Sequence, residues 1–276
     1  MSEQERLSER QFDRFRDLIY RRSGIRVDAS KITLVSNRIR RRLRAGAFPD
    51  FDTYYKHLTS SRDAGELEHF LDAITTNETH FFRTEAHFDW FRGEFLSEVI
   101  GRQRQGEREP KLRIWSAACS TGEEAYSLAI CLAENSLRLR GWDSSIVGTD
   151  ISEAALTRAR SAVYQARSLE EVSPTRLRRY FDALPDGKSW RVRPAVRDLV
   201  EFRRHNLMEP LGLPPFDCIF LRNVLIYFDR ESKGAVIRNL TNALVGGGYL
   251  VVGPSEGIYD MLEPLVKHGT SVYRKV

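Results

Sequence analysis

Several things are scarce in this chain, and each scarcity excludes something. There are three cysteines in 276 residues, Cys119, Cys131 and Cys218, odd in number and far apart. A disulfide framework or a zinc site is therefore not expected, and reduced thiols in a core are. No apolar run approaches the roughly 18 residues of a membrane span, so no insertion into a membrane is expected. The first ten residues, MSEQERLSER, are charged and unlike a signal peptide, which points to a cytoplasmic protein. Neither G-x-G-x-x-G nor G-x-x-x-x-G-K-[ST] occurs, which removes the usual cradles for a pyrophosphate or a triphosphate. The six histidines are scattered, no Ser-His-Asp or Cys-His set accompanies them, and no metal is expected. His80 and His87 read as surface or packing residues. There is no internal repeat and no low-complexity tract.

What is present describes an ordinary globular protein with material for a core: 41% apolar residues and a mean hydropathy of −0.43. Lys and Arg (43) exceed Asp and Glu (38), giving a net charge of +5 and a pI near 9.2. That balance favours an acidic partner, whether nucleic acid, a membrane surface or an acidic protein.

The chain divides in two. Residues 1–74 read as helical throughout. Ser8 and Gln11 have capping-box spacing, Phe12, Phe15, Leu18 and Ile19 supply an apolar face, and Gly24 stops the helix. Across 31–46, Ile32, Val35, Ile39 and Leu43 form one narrow stripe. Arg38, Arg40, Arg41, Arg42 and Arg44 fill the rest of that circumference, and two shorter helices are expected at 51–58 and 65–74. From Lys111 onward strands alternate with helices: LRIWSAA, SIVGTD, FDCIFL running into RNVLIYF, then a helix from about Arg230. The GGG at 246–248 is expected to close that helix before a strand YLVVGP, and HGTSVYRKV to end the chain as one more strand. Such alternation implies an α/β fold, a doubly wound and mostly parallel sheet with helices on both faces. Residues 182–205 interrupt it as a small antiparallel insertion, and LPPF at 213–216 reads as a turn before a strand.

Ligands of doubly wound sheets bind at the carboxyl ends of the strands. At the end of the first strand, WSAACSTGEEAYSLA (115–129) turns into a helix that opens on Glu123 and Glu124. At the end of the second stands Asp150, suited to a ribose diol, with Ser152 as helix cap. Carboxylates where a phosphate loop would hold glycines suit a nucleoside without phosphate and with positive charge. S-adenosylmethionine has a ribose diol, a sulfonium and an α-ammonium.

These residues carry a resemblance. TTNETHFFR (75–83), the 115–129 stretch, GTDIS (148–152), Asn206-Leu207 and FLRNVLIYF (220–228) make the chain similar to the bacterial chemotaxis receptor methyltransferases of the CheR type. The resemblance implies a Rossmann-like S-adenosylmethionine methyltransferase domain at 111–276 with a β-subdomain at about 182–205. It further implies an all-helical domain at 1–74 and a linker at 75–110. The implied activity is methylation of glutamate side chains on chemoreceptors, giving methyl esters and S-adenosylhomocysteine. By position it makes Asn77, Thr79, Arg83, Glu124, Asp150, Asn206, Leu207, Arg222 and Asn223 cofactor contacts, and puts Arg83 and Tyr227 near the transferred methyl. The family often has Pro where this chain has Ala125, an exchange between residues tolerated in a first helical turn. The arginine helix, through Arg38, Arg41 and Arg44, is expected to dock an acidic receptor bundle, and some relatives hold a receptor C-terminal peptide on the β-subdomain. A nucleic-acid methyltransferase using that helix, or a non-catalytic S-adenosylmethionine sensor, are the alternatives.

Overall fold

The computed structural model describes residues 6–60, 64–258, 260–263 and 265–276. The first five residues of the charged N-terminal stretch lie outside these.

The chain opens with α1 (Glu9–Ser23), α2 (Ile32–Ala45), α3 (Phe51–Ser60) and α4 (Ala64–Ile74), the four expected helices. The capping box is present: Ser8 Oγ accepts from Gln11 N at 3.3 Å, and Gln11 Oε1 accepts from Ser8 N at 3.0 Å. Gly24 ends α1 at φ +73, and a Cβ there would lie 2.5 Å from Met208 Sδ. The stop is therefore also the contact with the second domain, and only glycine satisfies both demands. Val35, Ile39 and Leu43 of the α2 stripe are buried against Phe12, Phe15, Leu18, Ile19, Tyr54 and Phe70. Burial of each large side chain contributes about 1.5–3 kcal/mol. A carboxylate in this core is bridged: Glu66 accepts from Tyr54 Oη at 2.7 Å and from Arg42 Nη2 at 2.7 Å.

The segment 75–110, expected as a linker, is extended only at its start. From Glu85 it is helical, with α5 (Glu85–Trp90), a π-turn at Phe91–Phe95 and α6 (Leu96–Arg104). Phe88, Phe91, Phe95, Val99 and Ile100 pack into the core of the sheet that follows, so this helix belongs to that layer.

The remainder supplies β1 (Lys111–Ala117), α7 (Glu123–Glu134), β2 (Asp143–Asp150), α8 (Glu153–Ser161), β3 (Val163–Gln165), α9 (Pro174–Tyr180), β4 (Phe181–Ala183) and β5 (Ser189–Val192). It continues with α10 (Pro194–Arg197), β6 (Val200–Arg204), β7 (Phe216–Leu221), α11 (Arg230–Asn242), β8 (Leu244–Val252), β9 (Leu265–Gly269) and β10 (Val272–Lys275). The seven-stranded sheet has the order β6-β2-β1-β7-β8-β10-β9 and is parallel except at β10. It is the doubly wound fold expected. The chain moves from β1 outward through β2 to β6, then returns across β1 to β7, which opens a crevice at the carboxyl ends of β1 and β7.

Three details differ from expectation. The antiparallel insertion is β3-β5-β4, spanning 163–192 rather than 182–205. LVEFR is not part of it: β6 pairs parallel with β2, Asp150 opposite Arg204. Phe202 decides this, since it packs edge-on against Tyr126 at 5.4 Å and over Gly148, where a Cβ would meet its ring at 2.7 Å. The triple glycine lies inside β8, beside an irregularity in the β7 pairing, instead of ending the preceding helix. The C-terminal stretch is a hairpin, β9 to β10, rather than one strand. Cys119, Cys131 and Cys218 are free and buried, and burial pushes the Cys131 thiol up to about 12. Among the described residues no helix is long and apolar enough to cross a membrane.

Candidate active site

At the carboxyl ends of β1, β2, β6 and β7 lies a cleft of about 1080 Å³ including its open mouth. Asn77, Thr79, Arg83, Glu124, Asp150, Asn206, Leu207, Arg222, Asn223 and Tyr227 all line it. Residues far apart in the chain meet here because the strand ends converge and the extended segment 75–84 crosses above them. Several non-glycine residues around the cleft have left-handed backbone: Phe82 (φ +55), Thr84 (+61), Ala118 (+55), Ser120 (+51) and Asn223 (+59). Each costs on the order of 1 kcal/mol or more and persists only where its surroundings enforce it.

Asp150 is 6% exposed. Its Oδ2 accepts from Ser120 N at 2.8 Å and its Oδ1 from Ser152 N at 2.9 Å. Burial raises its pKa, and these backbone donors pull it back. Each carboxylate oxygen keeps a further lone pair for a donor in the cleft. Ser152 caps α8 as expected, accepting from Ala155 N at 3.1 Å.

The two acids that open α7 part company, because successive helical residues point about 100° apart. Glu124 faces the cleft, with Oε1 accepting from Ser116 Oγ at 2.7 Å and Oε2 from Arg222 Nη1 at 3.2 Å. Glu123, expected beside it, is instead buried away from the cleft on Thr121 Oγ1 at 2.6 Å and Ser168 Oγ at 3.1 Å. Burial raises the Glu123 pKa. Arg222 is buried as well, and its Nη2 donates to the carbonyl of Arg83 at 2.5 Å. Burial lowers the Arg222 pKa, and Glu124 opposes that shift. Arg83 reaches the cleft with Nη1 on the carbonyl of Glu78 at 3.2 Å, and among the described residues no carboxylate is paired with it.

Asn206 is tied to the helical domain. Its Nδ2 donates to the carbonyl of Arg22 at 2.9 Å, while its Oδ1 accepts from Met208 N at 3.1 Å. Tyr227, which lines the cleft, is 40% exposed, and its neighbour Ile226 46%. The Tyr227 carbonyl accepts from Arg26 N at 2.8 Å, and Ile25 bridges Phe228. The loop between α1 and α2 thus holds the Tyr227 backbone.

Three residues at or beside the cleft were among those not singled out from sequence. Ser23 and Ile25 line the cleft from the helical domain. Glu256, 1% exposed, accepts from Asn223 N and, at 2.7 Å, from Leu225 N, fixing the loop that carries Tyr227. A lone acid four residues beyond an apolar strand was its only signal. Of the arginine helix, Arg41 and Arg44 are exposed as expected, but Arg38 is not free for docking. Its guanidinium donates to the carbonyls of Ile74 and Thr75 and to Thr76 Oγ1 at 3.2 Å. It satisfies the open C-terminal carbonyls of α4. Arg42 is likewise taken, by Glu66. His80 lies 3.4 Å from Glu171, and His87 is buried, its pKa pushed down to about 4 by burial and by Arg222.

Polar atoms left without a partner among the described residues include Ser120 Oγ, His205 Nε2 and Arg222 Nε, all on residues lining this cleft. Buried polar atoms in folded proteins are nearly always bonded, so these suit a polar ligand in the cleft. With Asp150 and Glu124 as acceptors and no phosphate loop, the donor set fits S-adenosylmethionine. Fold and cleft together are those of a doubly wound domain with a candidate nucleoside site at its strand ends.

Residues 77–273 match the family "CheR methyltransferase, SAM binding domain", and residues 10–75 match "CheR methyltransferase, all-alpha domain". The chain is 38% identical over 277 residues to the chemotaxis protein methyltransferase of Salmonella typhimurium, covering 99% of this chain and 92% of that protein. To the chemotaxis protein methyltransferase of Escherichia coli it is 37% identical over 278 residues, covering 99% and 93%. To chemotaxis protein methyltransferase 1 of Pseudomonas aeruginosa it is 38% identical over 256 residues, covering 91% of each. The chain belongs to the CheR methyltransferase family. A nucleic-acid methyltransferase and a non-catalytic sensor are not favoured.

Proposed function

We propose that this enzyme transfers a methyl group from S-adenosylmethionine to glutamate carboxylates on the cytoplasmic helical bundle of chemoreceptors, giving methyl esters. The observation that carries this reading is a cleft holding a buried arginine–glutamate pair together with Arg83, which has no carboxylate partner among the described residues. When bound, the cofactor supplies an electrophilic methyl on a sulfonium. A glutamate side chain is already ionised at neutral pH and needs no general base. The work left to the protein is orientation and exclusion of water. In this reading Asp150 accepts from the ribose hydroxyls, and Glu124, half-neutralised by Arg222, faces the cationic end. Asn77, Thr79, Asn206, Leu207 and Asn223 complete the cofactor contacts. Arg83 draws the substrate carboxylate to the cleft mouth, where the Tyr227 hydroxyl bonds to it.

The helical domain at 1–74 serves as the docking module, through Arg41 and Arg44, while Arg38 supports it from behind. The antiparallel insertion is the surface on which a receptor C-terminal peptide would dock. Methyl labelling of a receptor-containing membrane fraction tests the reading. The incorporated label should leave as methanol under mild alkali, as esters do. Alkali-stable label would mean nitrogen methylation and would end the carboxylate assignment.

A further inference from the structure

The small antiparallel insertion contributes none of the residues that line the cleft, but its side chains hold the segment that carries Arg83. Its helix α9 carries Arg176, whose guanidinium is largely buried. Nε and Nη2 donate to the two oxygens of Glu134 at the end of α7, at 2.8 and 3.2 Å. Nη1 donates to Glu85 Oε1 at the start of α5, at 3.0 Å. The same guanidinium lies 3.9 Å above the ring of Phe82. Phe82 is fully buried, with φ +55, and its N–H donates to Ser127 Oγ on α7 at 3.0 Å. The preceding residue, Phe81, is also gripped by the insertion. Its N–H donates to the Ser168 carbonyl at 3.0 Å, and its ring packs edge-on against Tyr164 at 4.8 Å and Phe181 at 5.2 Å. The next residue is Arg83.

A left-handed phenylalanine is a genuine backbone outlier that its surroundings must impose. Two of those surroundings are the ring contact with Arg176 and the bond to Ser127. We propose that Arg176 is a positioning residue for methyl transfer: it clamps Phe82 between the insertion, α5 and α7, and so fixes the place of Arg83 in the cleft. The proposal rests on the role given to Arg83 above. Arg176 uses a planar fork for one carboxylate, a third donor for another and its face for the ring, which lysine cannot reproduce. Through Phe81 and Phe82 the insertion thus bears on the segment that carries Arg83.

The test compares wild type with Arg83→Ala, Arg176→Ala, Arg176→Lys and Phe82→Leu. Each is assayed on a receptor-containing membrane fraction at a temperature where circular dichroism shows it folded, with S-adenosylhomocysteine affinity measured by calorimetry. A displacement of about 1 Å can cost on the order of 10²-fold in rate. The expected result for Arg176→Ala is kcat lower by roughly 10–100-fold with affinity changed less than about threefold. Arg176→Lys should fall between, and Phe82→Leu, which keeps apolar bulk and loses the ring face, should show the same split. A folded Arg176→Ala enzyme with wild-type kcat overturns the positioning role while an inactive Arg83→Ala leaves the active-site reading intact. Full turnover in Arg83→Ala overturns that reading, and the proposal with it. If Arg176→Ala does not fold, Phe82→Leu decides, and normal kcat there overturns the proposal.

Discussion

The cleft has two walls, and they hold their charges differently. On the strand-end wall, Asp150, Glu124, Arg222 and Glu256 are buried or nearly so, each bonded to backbone amides or to another fixed side chain. On the side contributed by the helical domain, the contacts beside Tyr227 and Asn206 use its backbone, Arg26 N to the Tyr227 carbonyl and Asn206 Nδ2 to the Arg22 carbonyl, while Glu68 and Asp72 reach Arg204 and Ala154 N further away. The charges of that domain stand mostly outside, on the exposed Arg41 and Arg44. Charge buried in a fixed geometry acts strongly and is costly to unpair, whereas exposed charge acts through water and is screened within about 8 Å at physiological salt. The same residue type therefore stands in two ways in one molecule: Arg222 is buried against Glu124, and Arg41 is exposed on α2, where the proposed function assigns it the encounter with the receptor.

The sharpest way to break this contrast is Arg222→Ala. It leaves Glu124 buried without its cation, and denaturant unfolding should show a loss of about 3–5 kcal/mol, the range for removing one partner of a buried pair. A loss below about 1 kcal/mol, typical of surface pairs, would erase the distinction between the walls.

Acid should discriminate next. His87 is buried behind the cleft with its pKa lowered from 6.5 to about 4. Between those values the unfolded chain takes up a proton that the folded chain refuses, so stability falls as pH drops from 6.5 towards 4. The contribution is up to about 3 kcal/mol. Thermal melts of His87→Gln against wild type across that window should show a shallower decline in the variant. Parallel curves would mean that His87 is protonated in the folded state.

A smaller effect is expected at Asp150. Asp150→Ala should weaken S-adenosylhomocysteine binding by roughly 1.5–3 kcal/mol, the value of a hydrogen bond to a charged group. Calorimetry with an unchanged Kd would reduce Asp150 to an anchor for the Ser120 and Ser152 amides.

The smallest effect belongs to the helical wall. Arg41→Glu with Arg44→Glu should raise KM for receptor several-fold, about 0.5–1 kcal/mol per exposed charge, and added salt should shrink the difference. Cofactor affinity should not move. A KM equal to wild type at low salt would leave α2 as solvated surface only.

Much of this was legible in advance because it is written in local pattern. Capping at Ser8, the stop at Gly24, the stripe Val35–Ile39–Leu43 and the alternation that makes a doubly wound sheet all follow from residues within a few positions of one another. Of the residues that line the cleft, Glu124 and Asp150 were legible from the strand ends of this fold, whereas Asn77, Thr79, Arg83, Asn206, Leu207, Arg222, Asn223 and Tyr227 came from the resemblance to the CheR type. The misreadings are of one kind. LVEFR has the pattern of a strand in either sheet, and the fit of Phe202 over Gly148, more than fifty residues away, decides which. The GGG run reads as a helix stop, yet its backbone pairs within β8.

The sequence by itself therefore determined the class of fold, the four N-terminal helices with the caps at Ser8 and Ser152, and the acids at the ends of the first two strands, because periodicity and caps are satisfied by near neighbours. Only the tertiary structure decided what each of those residues does there. It turned Glu124 to the cleft and Glu123 to Ser168, and bound Arg38 to the end of α4 while leaving Arg41 outside. It also brought Glu256 under Asn223 and set Arg176 over Phe82. The physical reason is that a charged or aromatic side chain takes its role from its partner, and these partners lie tens of residues away, next to it only once the sheet has closed.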